Sequence, residues 1–144
     1  MSATGGNDDT ARQGRTVLVV DDEDDLRGVV RRLLQSEGFH VLEARDGATA
    51  LQVLNDAADG SVELVLTDLR MPVMDGRQLA AALARLRPSL PVIFMSGYTA
   101  QLMDMRLVSP HLAFLAKPFR NDDLLAMVRG QLERSARYGF GESS

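Results

Sequence analysis

Glu63-Leu64-Val65-Leu66-Thr67-Asp68-Leu69-Arg70-Met71-Pro72-Val73-Met74-Asp75-Gly76 is the stretch on which the fold turns. Its first half is apolar, short and rich in residues that suit a strand buried on both faces, and it is too brief for a buried helix. Asp68 closes that run. In open α/β sheets the carboxyl ends of the strands form the ligand crevice, so this carboxylate stands at a privileged place. It can bind a hard cation, act as a nucleophile, or do both. Taken alone it equally suits a solvated Asp that opens a turn.

Outward from this strand the same alternation recurs. Thr16-Val17-Leu18-Val19-Val20 is a continuous apolar strand. The stretch 24–36 follows, with Leu26, Val29, Val30, Leu33 and Leu34 at helical spacing and Gly38 as its stop. Residues 39–44 are a second strand and 46–55 a second helix. After Asp68, residues 77–86 form an Ala/Leu-rich helix ended by Pro88, and 91–95 a fourth strand. Residues 99–108 are expected to make a short, irregular helix cut off by Ser109-Pro110, because their apolar residues form no clean stripe. Residues 112–115 are a fifth strand, and 121–134 a last amphipathic helix with Leu124, Leu125, Val128 and Leu132 inward and Asn121 as cap. Unbroken apolar strands alternating with helices require a parallel sheet covered on both faces, a single doubly wound α/β domain over 16–134. Residues 1–15 carry too little apolar surface to offset the entropy of ordering and are expected to be disordered, and 135–144 to be a flexible tail.

The bulk numbers narrow the function. A chain of 144 residues with a net charge of −4 has no broad basic footprint for nucleic acid, so direct binding is not expected. Arg31-Arg32, Arg85 and Arg87 read as solvated helix faces. The absence of cysteine excludes disulfides, thiol catalysis and zinc-thiolate sites. The two histidines, His40 and His111, read as structural. No stretch approaches the ~20 apolar residues that span a bilayer, and the polar N-terminus lacks the apolar core of a secretion signal. A cytoplasmic protein is the expectation.

Further candidate residues lie at the other strand ends. Asp21-Asp22 follow the first strand directly. Helix-dipole complementation accounts for Asp24 and Asp25, and less well for Asp21 and Asp22, which belong to the strand end. If strands one and three are neighbours, Asp21, Asp22 and Asp68 converge, and carboxylates without His or Cys select an oxygen-ligated ion, most simply Mg²⁺. Ser96 follows the fourth strand and Lys117 the fifth. A hydroxyl and an ammonium there suit the binding of an anion. A cis Lys117–Pro118 bond would aim that ammonium inward.

Acid, acid, hydroxyl and lysine at the ends of strands one, three, four and five form an array that resembles the receiver domain of two-component response regulators. The resemblance spans about Thr16 to Leu132 and rests on Asp21-Asp22, Asp68, Met71-Pro72, Asp75-Gly76, Ser96, Phe114 and Lys117-Pro118-Phe119. The style of Ser96-Gly97-Tyr98 and Lys117-Pro118-Phe119 is similar to receivers at the C-terminus of hybrid sensor histidine kinases. The resemblance implies a flavodoxin-like sheet in the order 2-1-3-4-5. It implies that Asp68 accepts a phosphoryl group from a histidine kinase or a histidine phosphotransfer domain, as a regulatory phosphoacceptor with slow autodephosphorylation rather than as an enzyme. Asp22 and Asp68 would hold Mg²⁺ by side chains, Asp21 through water and Arg70 by its backbone carbonyl, while Ser96 and Lys117 would hold phosphoryl oxygens. Ser96 and Phe114 would form the switch, altering the face of the fourth helix, fifth strand and fifth helix for a downstream protein target. Arg70 and Tyr98 would tune the phosphate lifetime. Asp75-Gly76 is expected to make the turn before the third helix, with Gly76 supplying a positive φ. A monomer or weak dimer off the membrane is expected. The competing readings are a Mg²⁺-dependent hydrolase with an Asp nucleophile and a constitutive, unphosphorylated interaction domain. The hydrolase reading lacks a second catalytic acid two residues after Asp68, where Arg70 stands, and any insertion long enough for a cap.

Overall fold

A computed structural model describes residues 15–57, 60–69, 71, 74–96 and 112–143, with side chains in the last stretch from 113 to 134. In chain order the elements are β1 (Thr16–Val20), α1 (Asp24–Ser36), β2 (His40–Ala44), α2 (Gly47–Asp56), β3 (Val62–Asp68), α3 (Gly76–Leu86), β4 (Val92–Ser96), β5 (Leu112–Ala116) and α4 (Asn121–Ser143). The strands form one sheet in the order β2-β1-β3-β4-β5, with every neighbouring pair parallel. This is the expected doubly wound flavodoxin-like arrangement. The chain winds outward one way from β1 to β2 and the other way from β3 onward, so β1 and β3 flank the point where the winding reverses.

Two-sided burial explains the apolar runs. Val17 and Val19 pack with Val30 and Leu34 of α1 and with Leu124 and Val128 of α4. Leu18 and Val20 point the other way, to Ala50 and Leu54 of α2 and Leu79 and Leu83 of α3. Each strand therefore serves two cores, which a period-two chain achieves only with apolar residues at every position. Val29 departs from the expected stripe and is 49% exposed. It lies one residue, about 100°, round from Val30 and so off the face that meets the sheet.

Helix ends follow local chemistry. Gly38, at φ 93°, closes α1: its amide donates to the Gln35 carbonyl and the Phe39 amide to the Leu34 carbonyl. That is the paired bonding of a Schellman motif, and Phe39 then buries beside Leu34. Asp46 caps α2 through the Thr49 amide. Asp75 caps α3 in a reciprocal box with Gln78.

Several sequence expectations change. Gly76 does not have a positive φ, since among the described glycines only Gly38 and Gly60 do. It is glycine because a Cβ would lie 2.5 Å from the Asp68 carbonyl oxygen and 2.9 Å from Leu69 Cα. Asn121 is the first residue inside α4 rather than its cap, since the Leu124 amide already donates to the Arg120 carbonyl. The α4 backbone stays helical to Ser143, past the Arg134 boundary read from the apolar stripe. Its last buried side chain among those described is Leu132, so core packing ends where the stripe ends. Arg31 is not merely solvated but pairs with Glu43 at 3.0 Å. The expected helix at 99–108 and residues 1–14 lie outside the described residues.

Candidate functional site

Strand alternation brings the predicted residues together at the carboxyl end of the sheet. Asp21 continues the alternation of Val17 and Val19, Asp68 that of Leu64 and Leu66, and Lys117 that of Ala113 and Leu115. All three therefore approach from one side. Lys117 Nζ lies 3.3 Å from Asp68 Oδ1 and 3.7 Å from Asp21 Oδ2. The Lys117–Pro118 bond is cis. The Lys117 amide donates to the Ser96 carbonyl at 3.0 Å, which ties the ends of β4 and β5. Ser96 itself is buried, one residue beyond Met95, the partner of Asp68 in the β3–β4 register. The acids and the lysine thus share one crevice, and Ser96 ends the strand beside it.

Asp21 is fully buried, and its Oδ1 accepts from the Glu23 amide at 2.8 Å. Its Oδ2 is buried with no hydrogen-bond donor. Burial pushes its carboxyl up from 3.8 to about 6; the Glu23 amide opposes this, the Asp68 charge adds to it, and Lys117 opposes it. Asp68 is also raised, first by burial, with Lys117 working against that rise and the Asp22 charge reinforcing it. One ammonium does not relieve both acids.

A divalent cation would. Asp21, Glu23 and Asp68 each offer a carboxylate oxygen, and these oxygens lie within 4.8 Å of one another. Asp21 brings to that cluster a carboxylate with one buried oxygen lacking a hydrogen-bond donor, and an all-oxygen donor set suits Mg²⁺. Asp22, expected as a direct ligand, is exposed and stands outside this trio, although its charge still reaches Asp68. Arg70 and Tyr98 lie outside the described residues. Phe114 is partly buried and stacks on Phe94, its partner in the β4–β5 register, with centroids 5.8 Å apart.

Sequence reasoning missed Glu23, Arg27 and Glu43. The Arg27 guanidinium donates to the Asp21 carbonyl at 2.6 Å, to Asp24 at 2.7 Å and to Glu43 at 3.1 Å. It clamps the end of β1 to α1 and β2. Burial of Glu43 would raise its carboxyl, but hydrogen bonds from Arg31 and Arg27 hold it low. The signal was present: an acid within an apolar strand needs a cation, and Arg27 and Arg31 are spaced i, i+4 on the helix before it.

The model of the response regulator receiver domain family matches residues 17–129. The chain belongs to that family. Over 120 residues it is 38% identical to the sensor kinase CckA of Brucella abortus, covering 83% of this chain and 13% of that kinase. A crystal structure of the receiver domain from the hybrid histidine kinase CckA superposes with a TM-score of 0.69 at 36% identity, covering 81% of this chain and 98% of that one. The signal receiver domain of an HD domain-containing protein from Pseudomonas fluorescens Pf-5 superposes with a TM-score of 0.78 at 26% identity, covering 88% and 92%. The likeness to CckA accords with the expected similarity to receivers of hybrid sensor kinases. This receiver domain spans only a small part of that curated relative, and no helix among its described residues is long and apolar enough to cross a membrane.

Proposed function

We propose that this receiver domain is the Mg²⁺-dependent phosphoacceptor of a two-component or phosphorelay pathway, with Asp68 as the accepting residue. The observation that carries the reading is Lys117 Nζ set between Asp68 and the buried, half-satisfied Asp21. The donor is a phosphohistidine on a histidine kinase or phosphotransfer domain. An Asp68 carboxylate oxygen forms the new bond to phosphorus as the P–N bond breaks, and the imidazole leaves with the bonding pair. Bound Mg²⁺ supplies charge neutralisation for the acids and the incoming phosphoryl oxygens. The Asp68 carboxylate and the Arg70 carbonyl would hold it, with Asp21 and the exposed Asp22 supplying further oxygens from the end of β1. Lys117 and the Ser96 hydroxyl bind phosphoryl oxygens as charge shifts onto Asp68.

The output is conformational. Ser96 moves toward the phosphoryl group and Phe114 repacks, changing the surface around β5 that a downstream protein reads. Phe114 has no hydroxyl, so its part rests on packing against Phe94. Arg70 and Tyr98 set how fast water reaches the aspartyl phosphate. The domain acts in the cytoplasm as a monomer or weak dimer and does not itself bind nucleic acid.

Intact mass after incubation with Mg²⁺ and acetyl phosphate tests the acceptor. The expected result is the mass of one phosphoryl group gained by the wild type and not by Asp68→Asn. An equal gain in both proteins, or none in either, would overturn the assignment.

A further inference from the structure

Glu23 is the acid at this crevice that neither local structure nor the phosphotransfer chemistry accounts for. It occupies the N-cap of α1, with extended backbone at φ −87° and ψ 108°. Glutamate is not among the preferred N-cap residues, which satisfy a helix amide with a short side chain. Here the Glu23 side chain makes no cap hydrogen bond. The neighbouring acid, Asp24, is engaged with Arg27 at 2.7 Å. The Glu23 carboxylate instead turns back toward the sheet, where its oxygen joins those of Asp21 and Asp68 within 4.8 Å. Its charge is felt at Asp21, where it opposes ionisation. Lys117 is a single ammonium beside these acids, so gathering a third here is unfavourable unless a further cation compensates, and one buried feature points to it. Asp21 Oδ2 is wholly buried and lacks a donor, and the Asp21 carboxylate is held in place by the Glu23 amide itself.

We infer that Glu23 supplies a further carboxylate to the divalent cation held by Asp21 and Asp68, and so sets the affinity of the site for it. The inference rests on the cation-dependent reading above. The backbone explains why this residue can do so. Asp21 and Glu23 flank one exposed residue between β1 and α1, so the turn that presents the Glu23 amide to Asp21 also swings its side chain over the crevice mouth. Asp22, at the crest of that turn, faces solvent. Glu23 is exposed, so substituting it leaves the core untouched.

The test is Mg²⁺ titration by calorimetry on the phosphate-free protein, comparing wild type with Glu23→Gln, Asp25→Asn and Asp21→Asn. Loss of one carboxylate beside a divalent ion near the surface is expected to weaken Mg²⁺ by about tenfold in Glu23→Gln. Asp25→Asn removes the same formal charge from the second residue of α1 and is expected to change affinity by less than about twofold. Equal losses in Glu23→Gln and Asp25→Asn would reduce the effect to general charge and overturn the inference. Unchanged affinity in Glu23→Gln, with binding abolished in Asp21→Asn, would overturn it while leaving the cation site standing. Unchanged affinity in both Glu23→Gln and Asp21→Asn would place the bound cation away from this acid cluster and overturn the inference together with the site it rests on.

Discussion

Replacing Asp21 with Asn should stabilise the metal-free domain at neutral pH. The fold buries this acid completely, gives one oxygen a backbone donor and leaves the other with none. Its carboxyl is raised by burial from 3.8 to about 6, and such a rise corresponds to about 3 kcal/mol against folding once the group is ionised. The sign follows from proton binding. Between pH 3.8 and about 6 the folded state holds a proton that the unfolded state has released, so Asp21's contribution to stability is full below that window and is lost as pH rises through it. Asn keeps an acceptor for the Glu23 amide and removes a charge whose cost is already net of the Lys117 attraction, but it buries an amide NH2 where Oδ2 stood without a hydrogen-bond partner. A net gain of about 1–2 kcal/mol at pH 7 is therefore expected. Urea denaturation in EDTA at pH 7 and pH 5 measures it, and the wild-type-minus-variant difference cancels acids that titrate in the opposite sense, such as Glu43 and Asp46. The gain should shrink at pH 5. It should shrink also at pH 7 in saturating Mg²⁺, which at a hundredfold excess over Kd stabilises a binding-competent fold by about 2.7 kcal/mol and leaves one stripped of its ligand behind. An Asp21→Asn protein less stable than wild type in EDTA at pH 7 would refute the reasoning.

Other perturbations probe the remaining parts. Gly76→Ala places a methyl 2.5 Å from the Asp68 carbonyl oxygen and should cost about 3 kcal/mol in thermal or urea unfolding, with loss of phosphoryl acceptance as the β3 end shifts. Unaltered stability would mean the loop yields freely. Asp75→Ala removes the acceptor of the Gln78 amide and should cost about 1 kcal/mol while leaving the acceptor chemistry intact. Tyr98→Ala and Arg70→Ala should each alter the rate of phosphate loss from Asp68, followed by intact mass after removal of the phosphodonor; unchanged lifetimes in both would dismiss their shielding role.

Periodicity made the parallel, doubly wound architecture legible, while the order of its strands came from the resemblance to receiver domains. Apolar strands in parallel sheets serve two cores, so β1 and β3 announce themselves without any contact being known, and the strand-end positions of Asp21, Asp68, Ser96 and Lys117 follow from where those runs stop. Local chemistry also marked Gly38 as the stop of α1. Other features were not legible, because they depend on which atoms meet. Glycine at 76 serves close approach to the Asp68 carbonyl rather than a left-handed turn, and only the packing of α3 against the end of β3 shows this. Glu23 reads in the sequence as one acid of a helix-opening run; its place beside Asp21 and Asp68 exists only once β1 and β3 pair and the β1–α1 turn is set. The Arg27–Glu43 clamp likewise joins residues whose contact arises from α1 lying over β2. Sequence determines what is buried, because burial follows from transfer of side chains out of water along a regular repeat. Tertiary structure decides which charges share a crevice, because Coulomb energy depends on distances that no local repeat encodes.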